Sequence, residues 1–286
     1  MRNSLPPWLR SARVIIGLSI IAVIALCAVF APLLAPHDPN EQNLLTTFLP
    51  PVWAQGADSA YLLGTDSLGR DVLSRLIYGA RVAMMVAVIA SFGAMVIGAT
   101  LAYLAGYFGG RIDSLIGRAV DVWMSFPPVI MSLILMVGLG VGLRNVILAI
   151  VIVDWTRFCR VLRSEVLVVA SKDYIAAARL VGFSHWRIIT REIIPASLPL
   201  LITLVSLEMG IAVIVEAVLS FVGLSVSSQT PAWGQMIADA RQYIYDSPWN
   251  LLFPALTIFF AVFGFNMLGD GLRRTLDVRL TAVQRV

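Results

Sequence analysis

A chain of 286 residues that is 59% apolar and only 13% charged cannot cover a soluble globule with a wetted surface. Such a surface takes about a quarter of its residues as Asp, Glu, Lys or Arg. The composition belongs to a bilayer, with room for about six or seven spans of roughly 20 residues and little for an extramembrane domain. The net charge is +4, and the 21 basic residues include one lysine, Lys172. It stands in Ser171-Lys172-Asp173 with no glycine loop before it, so the chain does not bind ATP through a P-loop.

In chain order, the first charge-free run is Val14 to about Ala35, between Arg13 and Asp38. It is too long for the apolar region of a signal peptide, and Leu26 before Cys27 is wrong for a lipoprotein cleavage site. A second span is expected from about Val82 to Gly106, and a third from Val122 to Leu143. The fourth, Asn145 to about Leu162, is interrupted by Asp154. The fifth, about Leu198 to Phe221, contains Glu208 and Glu216, and the sixth, Ser247 to Gly269, lies between Asp246 and Asp270. The expected fold is all-α, a polytopic bundle of six spans.

Six spans put both termini on one side. With that side cytoplasmic, sixteen of the basic residues fall inside and five outside (Arg70, Arg75, Arg81, Arg144 and Arg241), the asymmetry that orients membrane proteins. The expected organisation is a cytoplasmic segment over 1–13, the first span over 14–35 and an extracytoplasmic loop over 36–81. A membrane core over 82–272 follows, with a cytoplasmic loop at about 163–197, and then a cytoplasmic tail over 273–286. Cys27 and Cys159 are far apart and His37 and His185 isolated. Neither a disulfide framework nor a zinc or haem constellation is expected. No internal repeat supports an inverted-repeat transporter.

The cytoplasmic loop carries Lys172-Asp173-Tyr174-Ile175-Ala176-Ala177-Ala178-Arg179-Leu180-Val181-Gly182, then a second polar segment and Ile194-Pro195. Three alanines predict a short, smooth helix that a partner can approach closely. Gly182 stops it in the left-handed conformation, and Pro195 ends the following segment. An interfacial amphipathic helix would share many of these features. The spacing of Ala-Ala, Gly182 and Pro195 resembles the cytoplasmic loop of permease subunits in ATP-binding-cassette importers. In that family the motif begins Glu-Ala-Ala, whereas here the glutamate position is Ala176. The departure removes any salt bridge from that position and leaves a docking helix intact.

Five further blocks in family order look like the C-type permease of dipeptide, oligopeptide and nickel importers. They are Leu63 to Arg75 (LGTDSLGRDVLSR), Gly106 to Gly110 (GYFGG), Glu216 to Leu224 (EAVLSFVGL), Pro231 to Gly234 (PAWG) and Gly264 to Arg273 (GFNMLGDGLR). The likeness covers about Ala31 to Arg279 and departs at Asp277-Val278, where the family usually has Asp-Pro. Read for structure alone, Asp71 caps a helix and pairs with Arg75 one turn on. The acids of the first block superficially suggest a calcium loop but lack its downstream glutamate. Gly269-Asp270-Gly271 is expected to terminate the sixth helix, with Arg273 and Arg274 at its negative end.

The resemblance implies a type I importer permease in a bacterial inner membrane, without catalytic residues. Its implied partners are a second permease, two ATPase subunits docked at Tyr174, Ala176, Ala177, Ala178, Arg179, Gly182 and Pro195, and an extracytoplasmic binding protein. No cofactor, metal or nucleic acid is implied. Glu208 and Glu216, eight residues apart, project on one side of the fifth span. They either line a pathway or bind neighbouring helices. Asp154 is expected to pair with Arg157. The competing class is a self-sufficient secondary transporter or channel in which Glu208 or Glu216 titrates.

Overall fold

The structure, a computed structural model, describes residues 11–227 and 229–276, and its regular elements there are helices. Segment 1–13 and tail 273–286 therefore lie largely outside the described residues. Helix α1 (Ala12–Val29) continues through the short α2 (Ala31–Leu34), which Pro32 opens. Residues 35–71 then form a cap of turns before α3 (Val72–Phe108).

Helix α3 is the central element: at 37 residues it is roughly 55 Å long. It starts ten residues before the expected Val82, because Arg75 and Arg81 do not end it. Asp71 caps it by accepting from the Ser74 N–H at 2.9 Å. The expected Asp71–Arg75 side-chain pair is not formed. Buried Arg75 instead donates to the Pro39 carbonyl at 3.1 Å and lies 3.7 Å from Asp66. The cap thus supplies the groups that let a charge sit inside the helix.

The expected third span is broken. Helix α4 (Gly110–Met124) and helix α5 (Pro128–Leu139) meet at 85°. Pro127-Pro128 cause the break, since proline lacks an N–H and keeps its predecessor out of the helical region. Arg163 forks onto Asp113 and Arg160 pairs with Asp121, which fastens α4 to helix α6 (Leu143–Ala170). Helix α6 packs along α3. Its 28 residues are long enough to cross, but it carries Arg144, Asp154, Arg157, Arg160, Arg163 and Glu165.

Beyond α6 come α7 (Asp173–Leu180), α8 (His185–Ile188), a π-turn at Ile189–Ile193 and α9 (Ile194–Phe221). Pro195 does not end the segment as expected, for helix continues from His185 to Phe221. Its ring would crowd the carbonyl four residues back, and the π-turn widens the ladder where that conflict falls.

Helix α10 (Trp233–Ala240) packs against both α9 and the last helix, α11 (Trp249–Leu276). The Gly269-Asp270-Gly271 block does not terminate α11, which runs on to Leu276. Gly269 faces Ser206 and Leu207 of α9, and Gly271 serves a crossing with α1. A Cβ at Gly271 would meet Val14 N at 2.9 Å, and one at Gly17 would meet Leu268 N at 2.6 Å. Backbones of α1 and α11 can touch only where side chains are absent.

Among the described residues four helices are long and apolar enough to cross a membrane: α1, α3, the run from α8 through α9, and α11. The bent pair α4 and α5 makes a fifth if taken as one span.

Candidate functional site

The two ends of the bundle differ in chemistry. At one end, Asn250 donates to the Thr65 carbonyl at 3.0 Å, which ties the cap to α11, and Trp233 Nε1 donates to the Leu76 carbonyl at 3.0 Å, which ties α10 to α3. Asp66 accepts from the Leu68 and Arg70 N–H groups at 2.9 and 3.0 Å and from Arg70 Nε at 2.6 Å. Its carboxylate organises a turn, which accounts for the acid spacing that mimics a calcium loop. Beside it opens a polar cleft of about 810 Å³ lined by Arg70, Gln235, Asp239, Arg241 and Gln242.

The opposite end carries the loop of α7 and α8. Ile175 is fully buried and Ala178 half-buried, three residues apart on one face. Tyr174, Ala176, Ala177, Arg179 and Gly182 are exposed. So are Leu180 and Val181, at 89% and 75%. Gly182 takes φ +87°. Its N–H donates to the Arg179 carbonyl at 3.0 Å, and the Phe183 N–H donates to the Ala178 carbonyl at 3.1 Å. That pair of bonds is a Schellman cap, so the glycine closes α7 as expected. Trp186, 66% exposed, extends the surface beyond the turn, with Arg187 and Arg191 around it.

This loop is fastened to α3. Tyr107 Oη and His185 Nδ1 are 2.9 Å apart, and the Arg179 guanidinium lies 4.9 Å from the centre of the Tyr107 ring. Phe108 packs against both Tyr107 and His185. Sequence reasoning missed this hub, although Tyr107 stands in the Gly106 to Gly110 block. Its partner is 78 positions away, and no local pattern announces such a contact.

In the middle of the bundle, Arg157 Nη1 donates to Glu208 Oε2 at 3.1 Å and Nη2 lies 3.8 Å from Asp154 Oδ1. Asp154 and Glu208 are 3% and 2% exposed, while Arg157 is 34% exposed. The expected Asp154–Arg157 pair is thus present, with Glu208 as a third member. Glu216 is 1% exposed and accepts from the Ser220 and Ser225 hydroxyls at 2.6 and 3.0 Å. Both carboxylates are buried within this chain, and the cluster's surface-reaching group is Arg157.

The family of binding-protein-dependent transport system inner membrane components matches residues 94–282, which include α7, the hub's His185 and the buried cluster. The chain belongs to that family. The N-terminal transmembrane domain of oligopeptide transport permease C matches residues 8–51 of this permease. The dipeptide transport system permease protein of Alkalihalophilus pseudofirmus is 40% identical over 93% of this chain and 86% of that protein. The di/tripeptide permease protein of Pseudomonas aeruginosa is 38% identical over 92% and 87%. The nickel permease protein of Escherichia coli is 37% identical over 93% and 94%. Among solved structures, the inward-facing MetNI methionine ABC transporter matches with TM-score 0.60 at 18% identity, over 70% of this chain and 95% of that one. The fold is that of an ABC importer permease, and the chain is a multi-pass inner-membrane protein that works with other ABC transporter subunits.

Proposed function

We propose that the permease is one half of a translocation pathway for a dipeptide, oligopeptide or related small solute. A second homologous permease forms the other half. Two ATPase subunits drive the pair from the cytoplasm, an extracytoplasmic binding protein delivers the solute, and this chain performs no catalysis itself. In this reading α6 and the bent α4–α5 pair complete six spans, and both termini are cytoplasmic. The substrate class rests on relatives named for dipeptide, di/tripeptide and oligopeptide transport.

The observation that carries the mechanism is the shape of the α7 surface. A short helix held by buried Ile175 presents small Ala176 and Ala177 and apolar Leu180 and Val181 outward. Apolar groups left in water at a membrane surface mark a contact with another protein. Small side chains admit that partner closely, so the absence of glutamate at Ala176 costs a charge and no fit. The docked helix moves with α3 through the Tyr107–His185–Arg179 contacts, so closing the ATPase pair biases the bundle between inward- and outward-open states. The pathway face of this half includes Arg157, with Glu208 and Asp154 behind it as the buried charges that hold it.

Co-expression of the chain with the proposed second permease, ATPase subunits and binding protein tests the reading. ATP-dependent peptide uptake into proteoliposomes that requires all the subunits supports it. Uptake by this chain alone, driven by an ion gradient, refutes it.

A further inference from the structure

Along α1, an open groove of about 530 Å³ lies against α3, α10 and α11, walled by Ile20, Ile24, Cys27, Ile77, Trp233 and Phe260. Two of its polar wall groups are turned away into backbone bonds, and a third is the hydroxyl of exposed Ser19. Trp233 Nε1 donates to the Leu76 carbonyl at 3.0 Å, and Thr257 Oγ1 to the Pro254 carbonyl at 2.8 Å. A wall with one free hydroxyl offers water too few partners to hold it.

A cation stands next to the groove, outside its lining. Ala80 and Cys27 line it, and one residue further on each helix Arg81 meets the end of α1. Its Nε donates to the Ala28 carbonyl at 2.7 Å and its Nη2 to the Val29 carbonyl at 3.3 Å, while the guanidinium lies 5.3 Å from the Tyr78 ring centre. These partners among the described residues are dipoles and a ring face, and none of them is an anion. A half-buried arginine near a helix end in a bilayer calls for one.

We propose that the groove binds a phospholipid of the surrounding membrane, one acyl chain lying along Ile20 to Cys27 and the phosphate on Arg81. The groove flanks a helix whose outer face is apolar and exposed, with Val23 at 60% and Leu26 at 53%, so hydrocarbon is the solvent there. An apolar slot with a cation beside it matches the order of parts in a phospholipid. A partner's transmembrane helix would fill the slot without supplying the anion. The lipid completes the packing of α1 at the end opposite the close α1–α11 crossing at Gly17 and Gly271. The inference rests on the chain's membrane location and not on the docking role of α7.

The test uses the full chain with its co-purified subunits in nanodiscs of phosphatidylethanolamine and phosphatidylglycerol, with a trace of phosphatidylglycerol bearing a mid-chain diazirine. After illumination, adducts are mapped by peptide mass spectrometry. Adducts should be enriched at residues 20–27 and 257–260 over the exposed α3 residues Ile89 and Val96. Val23→Trp, a change at an exposed groove position that leaves the core alone, should remove the enrichment while α3 labelling stays the same. Arg81→Gln should lower it about fivefold, the weight of one basic residue on an anionic headgroup. Size-exclusion profiles of both variants establish that the fold is retained. Even labelling of all exposed helices, enrichment that survives both substitutions, or a groove shielded from label by a protein partner would each overturn the proposal.

Discussion

Arg157 Nη1 lies 3.1 Å from Glu208 Oε2 and joins α6 to α9 through a charge pair whose acid is buried and whose base reaches the surface. Asp154 stands behind the same guanidinium at 3.8 Å. One cation therefore serves two buried carboxylates, and substitutions at Arg157 and Glu208 are unequal.

Arg157→Met strands both acids and should cost on the order of 3 to 5 kcal/mol. Glu208→Gln should cost less, because the amide oxygen still accepts and Arg157 retains Asp154. The double variant Arg157→Met with Glu208→Gln should recover part of the loss. Thermal melting of detergent-purified protein in a double-mutant cycle measures the coupling. Strictly additive losses would remove the pair from the account.

Tyr107→Phe removes the hydroxyl bonded to His185 and keeps the ring under Arg179. A bond of this kind contributes about 1 kcal/mol. Hydrogen exchange over residues 173–193 should rise by roughly fivefold while α3 remains protected. Unchanged exchange in the loop would mean that the hub does not hold it.

Much of this architecture is legible as uninterrupted apolar length. The runs forming α1, α9 and α11 are free of charge or nearly so, and their positions follow from hydropathy. Counting charges fails where tertiary partners absorb them: Arg75 lies inside α3 because Pro39 and Asp66 receive it from a loop the spacing does not reveal. It also fails at Phe126-Pro127-Pro128, an apolar stretch whose prolines outweigh its hydropathy. Gly269 and Gly271 read as a stop because glycine weakens a helix, yet in a bilayer small residues chiefly admit a close neighbour, here side chains of α9 at Gly269 and the backbone of α1 at Gly271. At the candidate site the Schellman cap is written locally in Gly182, while the Tyr107–His185 contact depends on how α3 and the loop meet.

Gly182→Ala tests that cap directly. A Cβ at φ +87° costs about 1 kcal/mol, so the variant should insert normally and lose part of its uptake. Gly182→Pro, which also removes an N–H bonded in the cap, should lose nearly all of it. Equal uptake per inserted protein for wild type and both variants would show that the geometry of the turn is irrelevant to transport.

Orientation is open to chemical labelling. In a background lacking Cys27 and Cys159, a single cysteine at exposed Ser59 should react with an impermeant thiol reagent in intact cells, and one at exposed Ser184 should react only after permeabilisation. The reverse pattern would invert the bundle and remove the α7 surface from the cytoplasm.

The coupling role of α7 is tested most directly by Ala177→Trp, assayed as ATPase co-purification and ATP-driven uptake per molecule of permease in the membrane. An indole on this exposed face cannot disturb the packing of Ile175, so membrane yield should match wild type. It should hold the ATPase off Ala176, Leu180 and Val181, and both co-purification and uptake should fall tenfold or more, about 1.4 kcal/mol of lost docking. Normal co-purification together with normal uptake would contradict the assignment of this surface as the point where ATP hydrolysis reaches the permease.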